Sequence, residues 1–234
     1  MKIVVITPVL NEEDNIVHFC QNYDFADAIL VSDGGCTDET IALAKQFSNV
    51  KVREFKIRIP LPRDPVGFMN PEPHHYNFLV DWAEEEGYDW LILDGNDCWP
   101  NPLLRRDARR ILEETKEPAI YLCRIYLWLN DQWFPRMSQY GTSNWAWRRG
   151  SITARCDEHN MTFFESAIPV VPKELARELV FPYCCLHYNS LTEDRVKARM
   201  ERYKAWRPHI QPVHPLKSIY APAESLPDWV FKLD

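Results

Sequence analysis

The chain has 234 residues, a length that suits one mid-sized domain, or one domain and a short tail. Hydrophobic residues make up 46% of it and charged residues 26%, which excludes disordered, collagen-like and low-complexity character. The formal net charge of −7 argues against a nucleic-acid partner, which needs a basic footprint. No apolar run approaches the roughly 18 residues of a membrane span. The seven cysteines are odd in number and form no C-x-x-C pair, so they read as buried thiols of a reducing compartment. Eighteen Pro against seven Gly point to long, stiff loops.

Lys2 to Thr7 is a short apolar run, read as a buried first strand and not as a secretory signal. A cytoplasmic location follows as the expectation. Acidic residues Glu12 to Asp14 then open a helix carrying Ile16, Val17, Phe19 and Cys20. Ala28 to Asp33 is a second strand, ending in Gly34-Gly35-Cys36-Thr37-Asp38, where Thr37 or Asp38 caps a helix to about Phe47. Val50 to Ile57 alternates as a third strand, and Pro60 to Pro73 is loop. His74 to Gly87 reads as a helix closing on glycine, Asp89 to Asp94 as a fourth strand, and Asn101-Pro102 as the cap and first turn of a helix to about Thr115.

Ala119 to Leu129 is a further strand, and the stretch from Tyr126 to Trp147 is rich in aromatic residues. Val170 to Leu175 reads as strand and then helix, and Thr192 to Trp206 as a basic amphipathic helix. The expected division is a domain over 1–206, with a nucleotide-binding half 1–115 and an acceptor half 116–206, followed by a Pro-rich tail over 207–234.

Strand and helix alternation predicts an α/β fold with a mostly parallel twisted sheet covered on both faces. In such sheets a ligand lies beyond the carboxyl ends of the strands. Thr7, Asp33 and the segment Asp94 to Asp97 gather at those ends. Asp94-Gly95-Asn96-Asp97 offers hard oxygen ligands on a short loop, chemistry that suits Mg²⁺ or Mn²⁺. The same residues are also ordinary turn formers. No G-x-G-x-x-G or P-loop motif is present, so a dinucleotide fold has no support.

Three segments carry a family resemblance. Pro8-Val9-Leu10-Asn11-Glu12-Glu13 resembles the P-x-x-N-E-E opening of family 2 glycosyltransferases, Asp33-Gly34-Gly35-Cys36-Thr37-Asp38-Glu39-Thr40 their D-G-G-S-T-D-x-T segment, and Asp89 to Asp97 their D-W-I-L-x-L-D-A-D-E segment. Phe163-Phe164-Glu165-Ser166 and Leu186-His187-Tyr188, the latter with Lys197 and Arg202-Tyr203 behind it, are similar to segments of small lipopolysaccharide-core-type members.

The resemblance implies a GT-A fold and an inverting transfer of sugar from a nucleotide-diphosphate sugar to a hydroxyl of a glycan or lipid-linked glycan. It implies peripheral contact with a membrane at most. Pro8, Val9, Asn11, Glu12, Asp33, Asp94, Gly95 and Asn96 would line the donor, with Arg199 or Arg202 on its phosphates. A Mn²⁺ or Mg²⁺ ion would take Asp94, Asn96, Asp97 and His187, unless His187 meets the pyrophosphate itself. Glu165 is the first choice of base, with Asp157 and Glu158 as alternatives. The aromatic stretch would offer an acceptor platform, with Arg148 and Arg149 adding charge. Asn96 stands where the family usually has the second Asp of its D-x-D. That change keeps a second reading open, a catalytically inactive domain that binds a nucleotide sugar or glycan.

Overall fold

The computed structural model describes residues 1–55, 72–128, 133–135, 142–151, 171–190, 220–222 and 230–231. Four strands form a parallel core. They are β1 (Ile3–Val9), β2 (Ala28–Asp33), β3 (Val50–Glu54) and β4 (Trp90–Leu93), in the spatial order β3-β2-β1-β4. Their alternation sorts the apolar side chains onto two faces. Ile3, Val5, Ile29, Val31 and Ile92 pack on one side with α1 (Glu13–Asn22), α2 (Thr40–Ala44) and α4 (Pro102–Glu114). Val4, Ile6, Leu30 and Leu91 pack on the other against Leu79, Val80, Trp82 and Ala83 of α3 (Glu72–Glu85).

Beyond β4 the sheet turns antiparallel. β8 (Thr142–Arg148) pairs with β4 and with β6 (Ala119–Trp128). β7 (Trp133–Pro135) and β10 (Tyr220–Pro222) continue that edge. The long strand β9 (Ala176–Ser190) runs parallel to β6 and antiparallel to the short β5 (Cys98–Pro100).

The helices and strands predicted for the first half are present, with shifted ends, and the helix expected over 192–206 lies outside the described residues. The helix expected after Val171 is a single 3-10 turn over Lys173–Leu175, and the chain then enters β9. Neither β5 nor β9 was expected, because three residues are too few to show a period and β9 is interrupted by Pro182. Among the described residues, Cys20, Cys98, Cys123, Cys184 and Cys185 are buried free thiols and Cys36 is a half-buried one. No described helix is long and apolar enough to cross a membrane.

α4 shows how sequence sets an element that the site leans on. Leu104, Ala108, Ile111 and Leu112 fall on one stripe and are buried. Asn101 starts the helix: its Oδ1 accepts from Leu104 N at 3.0 Å, and its Nδ2 donates to Pro182 O at 3.0 Å in β9. Arg105 bonds Asp24, and Arg109 bonds Asp27, which ties the opposite stripe to the turn between α1 and β2. Asn101 is fully buried. Asn101→Ala removes a cap and strands the Pro182 carbonyl, so denaturant unfolding should show a loss of about 1–3 kcal/mol.

Candidate active site

Parallel pairing sets the candidate site. β1 runs in register with β2 from Val4↔Ala28 to Val9↔Asp33, and with β4 from Ile3↔Trp90 to Ile6↔Leu93. The three chain exits therefore leave from one edge. Asp33 stands beside Val9, and Asp94 to Asp97 come directly after β4 next door.

The loops at this edge are tied to each other. Asp33 Oδ1 accepts from Gly35 N at 2.9 Å and Cys36 N at 2.8 Å, which folds the turn after β2. Gly35 has φ +102°, a conformation that costs glycine little. Asn11, at φ 55°, occupies the left-handed region that Asn tolerates. Its Oδ1 accepts from Thr37 N at 2.8 Å. Glu12 N donates to Thr40 Oγ1 at 2.7 Å, Glu13 N to Asp38 Oδ2 at 3.2 Å, and Glu39 N to Glu13 Oε2 at 3.1 Å. The two loops thus present Pro8, Asn11 and Asp33 as one rim, with the Val9 side chain buried in the core beneath it. Glu12 Oε2 accepts from Asn15 Nδ2 at 3.1 Å within its own helix start.

The acidic loop divides in two. Asp94 is 1% exposed and faces inward. Arg124 of β6 donates to its Oδ1 at 2.6 Å, and the Tyr23 hydroxyl donates to its Oδ2. Cys185 Sγ of β9 lies 3.6 Å from that same Oδ2. One oxygen or sulfur each of Asp94, Cys98 and Cys185 lies within 4.8 Å of the others, a donor set of a kind that can hold a metal ion. Burial pushes the Cys185 thiol up to about 11 and the Cys98 thiol well above its ordinary value, so both are protonated at neutral pH. Burial, and then the Asp94 charge, raise the Tyr23 phenol in the same way.

Asn96 and Asp97 stay at the rim. Asn96 Nδ2 donates to Pro8 O at 3.4 Å, joining the acidic loop to the end of β1. Asp97 Oδ1 lies 3.2 Å from His187 Nε2 of β9. The approach is made by backbone: Cys98 is in register with His187, and Tyr188 N donates to Asp97 O at 2.7 Å. Trp99 stacks on Tyr188 with ring centroids 4.1 Å apart, which clamps β5 to β9. A Cβ on Gly95 would meet Asp97 Oδ1 at 2.8 Å, so this position must be glycine for the carboxylate to lie where it does.

Of the expected site residues, the structure brings together Pro8, Val9, Asn11, Asp33, Gly95, Asn96, Asp97 and His187 at one edge. Asp94 is turned away from that rim. Asp157, Glu158, Glu165, Lys197, Arg199 and Arg202 lie outside the described residues. The acceptor platform is corrected in part. Trp145 and Trp147 are fully buried and serve as core on opposite faces of β8. The Arg148 guanidinium stacks over Trp90 at 4.5 Å and bonds the Thr115 carbonyl, so it is engaged in the fold. The side chains of Tyr126, Trp128, Trp133, Phe134 and Tyr140 are outside the described set.

Sequence reading missed Arg124 and Tyr23. Arg124 did leave a signal: it is the lone charge in the otherwise apolar or aromatic run from Ala119 to Leu129, and such a charge needs a buried partner.

No protein-family model matches the chain, and no curated protein matches it. Solved structures do. The 1–349 fragment of S. aureus TarS superposes with a TM-score of 0.52 at 12% identity, over 92% of this chain and 68% of that one. The same fragment in complex with UDP-GlcNAc gives 0.37 at 20% identity, over 55% of this chain and 34% of that one. Glucosyl-3-phosphoglycerate synthase from Mycobacterium tuberculosis, in complex with Mn²⁺, UDP-glucose and phosphoglyceric acid, gives 0.46 at 15% identity, over 84% and 75%. Against the nucleotide-bound forms of TarS the chain spans about a third of their length. The superposition over 92% of this chain establishes the GT-A-like fold, an α/β sheet with helices on both faces.

The interlocked loops have a pH signature. Burial works against the Asp38 charge, but bonds from the Thr40 hydroxyl, Thr40 N and Glu13 N outweigh it and hold the carboxyl below its ordinary value of 3.8. A carboxyl held lower in the folded state contributes stability above its unfolded value and loses it as pH falls through the folded one. Acid titration followed by circular dichroism should therefore show Asp38→Asn less stable at neutral pH, with a shallower loss of stability below about pH 4.

Proposed function

We propose that the chain is a glycosyltransferase that moves a sugar from a nucleoside-diphosphate sugar to a hydroxyl of a glycan or lipid-linked acceptor. One observation carries the reading. On a GT-A-like sheet, Asp33 at the end of β2 and the Asp97–His187 pair beside the end of β4 share the edge where the parallel strands exit. TarS and the mycobacterial synthase were solved with uridine nucleotides, and the synthase with Mn²⁺. That supports a uridine nucleotide and Mn²⁺ as the first pair to test here.

In this reading Pro8, Val9 and Asn11 form the floor under the nucleoside, and Asp33 accepts a hydrogen bond from the base. Its turn bonds all fall on Oδ1, so Oδ2 is the atom assigned to the ligand. The donor set at the rim fits a divalent cation. A carboxylate oxygen and an imidazole nitrogen converge at 3.2 Å, and their side chains are 13% and 20% exposed. Asp97 and His187 would hold the ion, with the Asn96 amide beside them, and Mn²⁺ or Mg²⁺ would supply positive charge for the departing diphosphate. Arg199 and Arg202 are proposed to meet the same phosphates. Glu165 is proposed to take the proton from the attacking hydroxyl in one inverting displacement, with Asp157 and Glu158 as alternatives. The core-type subclass and the lipid-linked acceptor follow from the segments around Glu165 and His187, and such an acceptor would bring the chain to a membrane surface.

Asn96 favours the second reading, binding without turnover, because its neutral amide already donates to Pro8 O. Thermal shift with UDP and UDP-sugars, with and without Mn²⁺, followed by a turnover assay, tests both. A ligand of the native state raises apparent stability by mass action. Asp33→Ala should abolish the UDP shift under either condition. Asp97→Asn and His187→Ala should abolish only the extra shift that Mn²⁺ provides. Equal losses in both conditions would remove the cation from the site, and a UDP-sugar shift with no transfer would establish the binding reading.

A further inference from the structure

We propose that Asp94, the acid to which the family resemblance assigns a cation, is instead the internal counter-ion of Arg124. Arg124 and Tyr23 are then positioning residues for the loop that carries Asn96 and Asp97. The inference rests on the donor-site reading of this edge and deepens it by saying which acids face the ligand.

Both Asp94 oxygens are engaged by protein. Arg124 Nη2 lies 2.6 Å from Oδ1 and also 3.4 Å from Leu93 O and 3.4 Å from Asn144 O, so the guanidinium bridges β4, β8 and the acid at once. The Tyr23 hydroxyl, from the end of α1, fills Oδ2 from the other side. The Asp94 side chain is 0% exposed and that of Arg124 14%. A divalent ion at Asp94 would have to displace the guanidinium and so break a buried ion pair, which is costly. A metal at Asp94, Cys98 and Cys185 meets the same obstacle. Arg124 already supplies the positive charge there.

The anchored acid sets the course of the loop. With Asp94 held inward, Gly95 O accepts from Cys98 N at 2.9 Å, and the short turn between them delivers Asp97 to His187 at the rim. Arg124 and Tyr23 act on the ligand only through this turn.

The test uses the full chain and a thermodynamic cycle. Melting temperatures are measured for wild type, Asp94→Asn, Arg124→Gln and the double variant. Mn²⁺ binding in the presence of UDP is followed by the electron paramagnetic resonance of the free ion. Each single variant should melt lower, and the double variant should lose less than the sum of the two. The double variant, whose two neutral amides can still hydrogen-bond across the same junction and hold the turn, should keep Mn²⁺ affinity within about threefold of wild type, whereas Asp97→Asn weakens it by about tenfold or more. Arg124→Lys should restore part of the stability, and Tyr23→Phe should speed hydrogen exchange at the Cys98 and Tyr188 amides before it affects the rest of the sheet.

A double variant that loses Mn²⁺ as Asp97→Asn does makes Asp94 a ligand and overturns the proposal. Additive melting losses overturn it too, as does unchanged exchange in Tyr23→Phe. So does a Co²⁺ adduct with thiolate absorption that Cys185→Ser abolishes. If wild type binds neither Mn²⁺ nor UDP, the donor-site reading fails by itself, while the melting cycle and the amide exchange still decide the pair and its role.

Discussion

Parallel pairing of β1 with β2 on one side and β4 on the other is the constraint on which the site depends. Antiparallel neighbours would send alternate chain exits to opposite ends of the sheet. Here Val9 and Asp33 end level and Leu93 ends beside Ile6, running the same way, so the loops leaving them share one edge. Sharing it brings polar backbone into contact, and the side chains of the motif segments satisfy that backbone. Asn11 bonds Thr37 N, Thr40 bonds Glu12 N, and Asp38 bonds Glu13 N. Much of what looks like catalytic signature in the first two motifs therefore works as framework. It holds a rim on which Asp33 is half-buried and folds its own turn.

The third motif solves a different problem. The sheet changes from parallel to antiparallel at β4, and Asp94 sits at that junction. An acid there has no solvent, so it requires a cation and donors from the protein itself. Arg124 and Tyr23 supply them from β6 and α1. Both have to be bonded in the folded state, so the junction ties the ends of α1 and β4 to the middle of β6 more specifically than apolar packing would. The neighbouring thiols fill the remaining volume as neutral, polarisable groups.

The parallel half of the fold is legible in the sequence because each of its strands is an apolar run with a clear helix start or stop behind it. Asp33 and the Asp94–Asp97 loop emerge from strand order alone. The antiparallel half is less legible for reasons that particular residues show. β5 is only Cys98-Trp99-Pro100, and its pairing with β9 is set by tertiary contact and the Trp99–Tyr188 stack. Trp145 and Trp147, whose indoles suggest a sugar platform, are parted by the register shift where β8 meets β6 and fill two cores. Composition cannot distinguish an exposed Trp from a buried one; strand position does. The orientation of Asp94 is hidden from the sequence because a motif fixes spacing along the chain but not which way a carboxylate turns. That depends on Arg124, thirty residues further on, which shares no motif with it.

β9 links the two acids of the loop. It lies between β6 and β5, parallel to one and antiparallel to the other, so its residues are in register with both Arg124 and Cys98. Cys185 pairs with Arg124 across β6 and touches Asp94, while His187 pairs with Cys98 across β5 and touches Asp97. Cys185 and His187 are two positions apart and so point to the same side of the strand. One step of the pleat therefore spans the distance from the sealed acid to the one paired with His187. A slip of β9 by one residue would turn both contacts to the opposite face. The Asn101 bond to Pro182, the Trp99 stack and the Tyr188 bond to Asp97 all hold that register. The candidate cation site is thus a consequence of strand register as much as of the acidic motif, and a chain of this fold can retune the site by changing what β9 presents without altering the parallel half.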